Sequence, residues 1–328
     1  MPRSIRRLRV RHTTRYGYDR PIARSSHRVH LRPMDDWKQT VVAYQLKANP
    51  RVQEVEYEDV FGNWTTRFDI SKPYTRLTLT AESIVEVQDV DPFAFAKLPI
   101  RPPSFPLVWM PWERTMLQPY LTPDELPETE IRELYDYAMG FVKRNKGDLM
   151  ETLFAINLTL FRDYQYVPGC TTLDTTAYDV MCQRRGVCQD FANLFITLAR
   201  LLGIPARYVC GYIFTGNTAR ASRASSDASH AWVQLYIPNI GWKGFDPTNG
   251  VLPQTDHVRV AYGRHYRDAT PTAGTLYTAA EESMTTEVEV VDVGDDGDNG
   301  RHEGTKMSRP EGTEARRHEG VAKGGRDQ

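Results

Sequence analysis

Polar and apolar positions along the chain change period twice, and the two changes divide it. From Leu8 to Tyr18 the residues alternate: Leu8, Val10, His12, Thr14, Tyr16 and Tyr18 share one face, and Arg9, Arg11, Thr13 and Arg15 the other. Period-2 alternation predicts a half-buried strand. Similar runs follow at residues 28–32, 41–48, 51–57, 64–70 and 76–87, with Phe61-Gly62-Asn63-Trp64 as a turn signal between two of them. Short strands without a strong helical pattern predict a β-sandwich-like domain over residues 1–90. A crossing with nine prolines between Pro92 and Pro127 is read as a largely irregular connection over residues 91–124, packed down by Trp109, Trp112 and Tyr120.

The period then becomes helical. Thr122-Pro123-Asp124-Glu125 has capping-box form, and Ile131, Leu134, Tyr135, Ala138 and Phe141 fall on one stripe that ends near Gly147. Asp148 with Glu151 marks a second helix along Leu149, Leu153, Ile156 and Leu160, and a short one spans residues 176–184. The most regular stripe is Phe191, Leu194, Phe195, Leu198, Leu201 and Leu202, closed by Gly203 and Pro205. Alternation returns at residues 206–214, 229–237 and 242–246, with a Ser, Ala and Arg-rich loop over residues 215–227. Helices followed by antiparallel strands predict an α+β second domain over residues 125–290. Beyond residue 291 the chain is Gly, Asp, Glu, Arg and His with almost no aliphatic residues, the composition of a disordered tail.

Composition narrows the function classes. A length of 328 residues suggests roughly two domains. A net charge of −1 points to neither nucleic acid nor an anionic membrane, and the arginines of the first strand are read as a solvated face. The basic start lacks an apolar stretch, and no run approaches the ~18 apolar residues of a membrane span. Without a secretion signal the four cysteines, Cys170, Cys182, Cys188 and Cys210, predict no disulfide framework, and none forms a CxxC pair for zinc. The expectation is a reduced, cytoplasmic chain without metal or cofactor and of unspecified oligomeric state.

Cys188 opens the best-formed helix. Unsatisfied N–H groups and partial positive charge at a helix N-terminus favour thiolate over thiol, and the thiolate is the nucleophile. The competing role is that of a buried small hydrophobe. Asp190, two residues on, opposes a thiolate unless its carboxylate turns away. A cysteine nucleophile needs a base, and the base an orienting acceptor. His12, His27 and His30 lie in the β domain and His302 and His318 in the tail, which leaves His230, His257 and His265. His230 shares a strand face with Trp232, Gln234 and Tyr236, opposite the aliphatic Ala231, Val233, Leu235 and Ile237. If the strands on either side of Pro238-Asn239-Ile240-Gly241 pair symmetrically about position 238, His230 faces Asp246, with Cβ atoms about 4.5–5.5 Å apart. Asp246 would then accept the Nδ1–H of His230 and leave Nε2 for Cys188. Alone, that pair could be a structural hydrogen bond. With a cysteine at a helix N-terminus in the same domain, a Cys-His-Asp triad is favoured.

The run RRGVCQDFANLFITLARLLGIPARYVCGY resembles the nucleophile segment of the transglutaminase-like superfamily, and SHAWVQLYIPNIGWKGFDPTNG its His and Asp segments. YVPGCTTLDTTA and GRHYRDATPTAGTL resemble flanking blocks of the bacterial branch, and the first ninety residues its N-terminal β domain. The resemblance implies a papain-like core in which a cysteine-bearing helix packs on an antiparallel sheet. It implies Cys188 as nucleophile, His230 as general base and acid, and Asp246 as its orienter. Further oxyanion or substrate contacts fall to the Cys188 N–H and to Gln183, Tyr166 and Trp232. The implied activity is thiol-dependent chemistry on a peptide or protein amide. Hydrolysis is favoured over transamidation because no calcium-loop motif is present, and a non-catalytic binding module is the alternative from another class.

Overall fold

A computed structural model describes residues 5–94, 103–216 and 229–294. Most of the loop expected at residues 215–227 lies outside the described residues. So does the polar tail from residue 295 onward, with His302 and His318. Strands β1 (Ile5–Ile22), β2 (Ser25–Val29), β3 (Gln39–Asn49), β4 (Val55–Glu58), β5 (Trp64–Ile70) and β6 (Tyr74–Gln88) open the chain. Helices α1 (Pro111–Leu121), α2 (Glu128–Arg144) and α3 (Leu149–Asp163) follow, then β7 (Gln165–Tyr166), α4 (Ala177–Gln183), β8 (Arg185–Gly186) and α5 (Cys188–Leu201). The remainder is β9 (Ala206–Ile213), β10 (His230–Ile237), β11 (Gly241–Phe245), β12 (His257–Gly263), α6 (Tyr266–Ala269), β13 (Thr272–Leu276) and β14 (Glu282–Asp292). This is the expected α+β class.

Two four-stranded sheets, ordered β14-β1-β6-β3 and β13-β2-β5-β4, form the sandwich. Ile22, Val29, Phe68, Ile70, Leu77 and Leu79 fill it. Both outer strands β13 and β14 come from the C-terminal end, antiparallel to β2 and β1. The sheets of the first ninety residues are thus completed by a segment that the sequence had assigned to the second domain. Local periodicity cannot reveal a pairing some 260 residues away. The third sheet, β11-β10-β9-β12, is the one that positions the site. Its aliphatic face (Ala231, Val233, Leu235, Ile237) packs with Phe191, Leu194, Phe195 and Leu198 of α5 in one core, which Leu8, Val10, Val85 and Val87 of the sandwich also enter.

The proline-rich crossing is less irregular than expected. Pro111 occupies the first turn of α1, where its missing N–H costs nothing, and Thr122 closes that helix instead of opening the next. The next helix starts at Glu128, after Pro127. Strand β12 is the sheet's edge, and the sandwich covers it with side-chain amides. Gln39 accepts from the Arg259 N–H at 2.8 Å and donates to its carbonyl at 2.9 Å. Asn63 does the same for Tyr262 at 2.7 and 2.8 Å. Two amides thereby stand in for a neighbouring strand and block edge pairing. Arg259 adds a bidentate pair to Asp36 at 2.6 and 2.7 Å. No helix among the described residues is long and apolar enough to cross a membrane.

Where β1 meets β9, the Tyr212 hydroxyl lies 3.1 Å from Nδ1 of buried His12, within hydrogen-bond distance. Burial lowers the His12 pKa to about 4. The folded state thus binds this proton less readily than the unfolded state, and stability falls as pH drops from about 6.5 towards 4. Wild type should lose about 2 kcal/mol more than His12→Gln between pH 7 and pH 5, read from urea midpoints. Parallel losses would contradict this placement of the ring.

Candidate active site

Cys188 is the first residue of α5, half-buried. Val187 occupies the cap position and offers no side-chain acceptor. The missing cap is supplied from within: Asp190 Oδ2 accepts the Val187 N–H at 2.7 Å and the Thr171 hydroxyl at 2.7 Å. A Cβ on Gly186 would lie 2.8–2.9 Å from the Asp190 Cβ and Oδ2, so glycine is what lets this carboxylate fold back on the turn. Both hydrogen bonds engage Oδ2 of Asp190 within the turn that leads into α5. Burial raises its pKa, against the pull of Val187 and Thr171. At the far end of α5, buried Arg200 donates to the carbonyls of Thr122, Ala206 and Arg264, which fixes the helix along its axis.

Tyr166 reaches the sulfur through a short parallel pairing of β7 with β8. Its ring packs on Phe191 at 6.3 Å. Burial, then the neighbouring Cys188 and Asp190, raise the pKa of its hydroxyl. It therefore stays neutral and able to donate beside Cys188. Cys210 is also near, but burial pushes its thiol up to about 12 and keeps it protonated.

His230 begins β10 and is 1 % exposed. Its Nε2 lies 2.9 Å from Asp246 Oδ2. Its Nδ1 is buried without a hydrogen-bond partner among the described residues, which leaves this nitrogen as the one available to Cys188. The two ring atoms are thus exchanged relative to the expectation from sequence. The register differs too. Gln234 faces Gly244 and Ile237 faces Gly241, so the hairpin is symmetric about position 239. Asn239 (φ 62°) and Gly241 (φ 87°) accommodate the turn at its shifted position. The slip moves each partner by two residues, which preserves the face, so Asp246 still meets His230 from just beyond the end of β11.

Asp246 is fully buried and fully used. Oδ2 faces His230 Nε2, His257 Nε2 at 3.1 Å and the Asn249 amide at 2.7 Å; Oδ1 accepts the Thr248 and Asn249 N–H groups at 3.0 and 3.2 Å. Burial alone would raise its pKa, but the two histidines hold it well below the usual carboxylate range. Conversely, burial lowers the His230 pKa, and Asp246 followed by Cys188 outweigh it, so the ring is raised. Among the described residues, His230, Asp246 and His257 are also close enough to be considered as metal ligands. Their 2.9 and 3.1 Å contacts are ordinary hydrogen bonds.

Of two further sequence candidates, Gln183 lies elsewhere and Trp232 backs the histidines. Gln183 is exposed at the end of α4 and its Oε1 accepts from Arg185 at 3.3 Å, because the intervening turn aims it outward. Trp232 is 0 % exposed, which removes it from direct substrate contact. It stacks behind His230 at 5.8 Å and meets His257 edge-on at 5.1 Å. A Cβ on Gly211 would lie 2.6 Å from the Trp232 ring and 2.0 Å from the Val258 carbonyl, so glycine lets the indole lie flat across the strands. Asn249 and Asp256 were missed, and His257, one of the three histidines left as candidates, was given no role. The signal for His257 was its position opening a strand, as His230 does.

Removing the Asp246 carboxylate leaves two buried imidazoles and two backbone N–H groups without their acceptor. Asp246→Ala should therefore cost about 3–5 kcal/mol of unfolding free energy in urea. A loss below about 1 kcal/mol would mean that the carboxylate does not organise this region.

Comparison with known proteins follows the same outline. Residues 8–86 match the bacterial transglutaminase-like N-terminal region, and residues 135–247 the transglutaminase-like superfamily core. The uncharacterized protein ML0607 of Mycobacterium leprae is 31% identical over 274 residues, 82% of this chain and 92% of its own length. A protein-glutamine gamma-glutamyltransferase of Pseudomonas aeruginosa is 32% identical over 96 residues, 28% of this chain and 14% of that protein. A crystal structure from Cytophaga hutchinsonii, described as a candidate cysteine protease, shares the fold with a TM-score of 0.68 at 21% identity, covering 92% of this chain and 95% of its own. The chain belongs to the transglutaminase-like superfamily and carries its bacterial N-terminal region.

Proposed function

We propose that the chain is a thiol-dependent amide-bond enzyme in which Cys188 is the nucleophile, His230 the proton carrier and Asp246 the orienter. The observation that carries this is the buried sequence of contacts from Asp246 through Nε2 of His230 to the ring nitrogen left for Cys188. In the proposed reaction the sulfur attacks an amide carbonyl carbon and a thioester forms. The C–N bond breaks, and the leaving nitrogen takes a proton from His230. Water, deprotonated by His230, then releases an acid and restores the cysteine. A primary amine in place of water would give a new amide instead. Tyr166, whose hydroxyl stays neutral beside Cys188, and the backbone N–H of Cys188 are the proposed oxyanion donors.

Hydrolysis is the preferred outcome, on the ground that no calcium-loop motif accompanies the core. The name of the Pseudomonas relative supports transamidation as the second reading, through a match confined to 28% of this chain. The substrate is proposed to be a peptide or protein amide. An open groove beside α5, lined by Gln189, Asn193, Thr176, Tyr266 and Arg267, is its proposed seat.

Incubation with a peptide library, with and without a labelled primary amine, separates the outcomes by product mass. Hydrolysis predicts products that have gained water and carry no label. Label on most products would select transamidation. Cys188→Ala should lower either activity by about 10³-fold or more without lowering the thermal midpoint. Activity that survives this change would refute the assignment.

A further inference from the structure

Asp246 serves two imidazoles, and the mechanism above uses only one. His257 is 2 % exposed and lies between two carboxylates. Its Nε2 is 3.1 Å from Asp246 Oδ2 and its Nδ1 is 2.6 Å from Asp256 Oδ1. A neutral imidazole has one N–H and one lone pair, so a neutral His257 would direct a lone pair at one of the two anions. Only the doubly protonated ring satisfies both contacts. A buried cation is tolerated where it is paired and hydrogen-bonded, and this one is paired on both sides. Burial lowers the His257 pKa, and the two carboxylates outweigh that and raise it.

We infer that His257 is a positioning residue whose imidazolium, clamped between Asp246 and Asp256, fixes the carboxylate oxygen used by His230 and limits how tightly that carboxylate holds the His230 proton. This rests on the Cys188–His230 reading given above. His230 must keep a proton to sustain the thiolate and still release it to a leaving nitrogen. A buried Asp246 serving one histidine alone would hold that proton too firmly. A second cation on the same oxygen shares the carboxylate's charge and repels the first, whose ring centroid lies 6.1 Å away. The other groups around His257 are consistent with this role. Trp232 meets its ring from β10 without adding charge. Lys38, Lys243, Arg259 and Asp91 line the cavity on its outer side, where Arg259 is paired with Asp36.

The test reads the His230 proton through the sulfur. Iodoacetate is an anion, so the His230 imidazolium attracts it, and alkylation of Cys188 slows as that ring deprotonates. Rates are followed against pH by peptide mass mapping, which separates Cys188 from Cys170, Cys182 and Cys210. His257→Gln removes the charge and retains an amide donor for Asp246. Its falling limb should lie about one pH unit or more above that of wild type. A limb superimposable on that of wild type, with folding intact, would overturn the inference and leave the Cys188–His230 reading standing. A wild-type protein with no falling limb would remove that reading and this inference with it. Ring-nitrogen NMR of wild type provides a check without substitution. Both His257 nitrogens should carry protons at neutral pH, and a neutral ring there would overturn the proposal.

Discussion

A single carboxylate, Asp246, holds the site together. It is fully buried, and its two oxygens face two imidazoles, one side-chain amide and two backbone N–H groups. Such a charge is tolerable in the interior only because every contact is a donor. The same saturation sets the orientation of His230, and His230 in turn offers its remaining nitrogen to the end of α5. Remove the anion and His230 loses the acceptor of its Nε2.

The rest of the fold keeps these partners from drifting. Phe191, Leu194, Phe195 and Leu198 seat α5 against the aliphatic face of the third sheet, so the cysteine sits at a fixed height beside the strand that carries His230. Arg200 ties down the far end of the helix, and Asp190 tightens its first turn. On the opposite face, Trp232 backs both histidines. The sandwich contributes by covering the edge of β12, the strand that delivers His257, with the amides of Gln39 and Asn63. Stability and geometry thus come from the same contacts, and the two domains are coupled through them.

How much of this could be read from the sequence depended on the range of each interaction. The cysteine helix was legible because its stripe is local and its ends carry Gly186 and Gly203. The side of β10 that bears His230 was legible because strand parity survives a register error. The pairing about position 238 was wrong by a shift of one in the centre, since a turn containing two left-handed residues was not anticipated; the even slip left Asp246 on the correct face. The choice of ring nitrogen depends on where α5 lies in space, which no local pattern encodes. The same holds for Gln183, close to Cys188 in sequence yet turned outward, and for β13 and β14, whose partners lie at the other end of the chain. His257 was among the remaining candidates but was given no role, because its link to Asp246 crosses a turn instead of a strand ladder.

The central proposal is that the buried anion at Asp246, acting through His230, supports Cys188 as the nucleophile. Ultraviolet difference spectra of wild type and Cys188→Ala, repeated in a His230→Ala background, measure this directly. The account predicts a thiolate band at neutral pH that belongs to Cys188 and disappears when the imidazole is removed. A wild type that shows no such band, or a band that persists unchanged without His230, would contradict it.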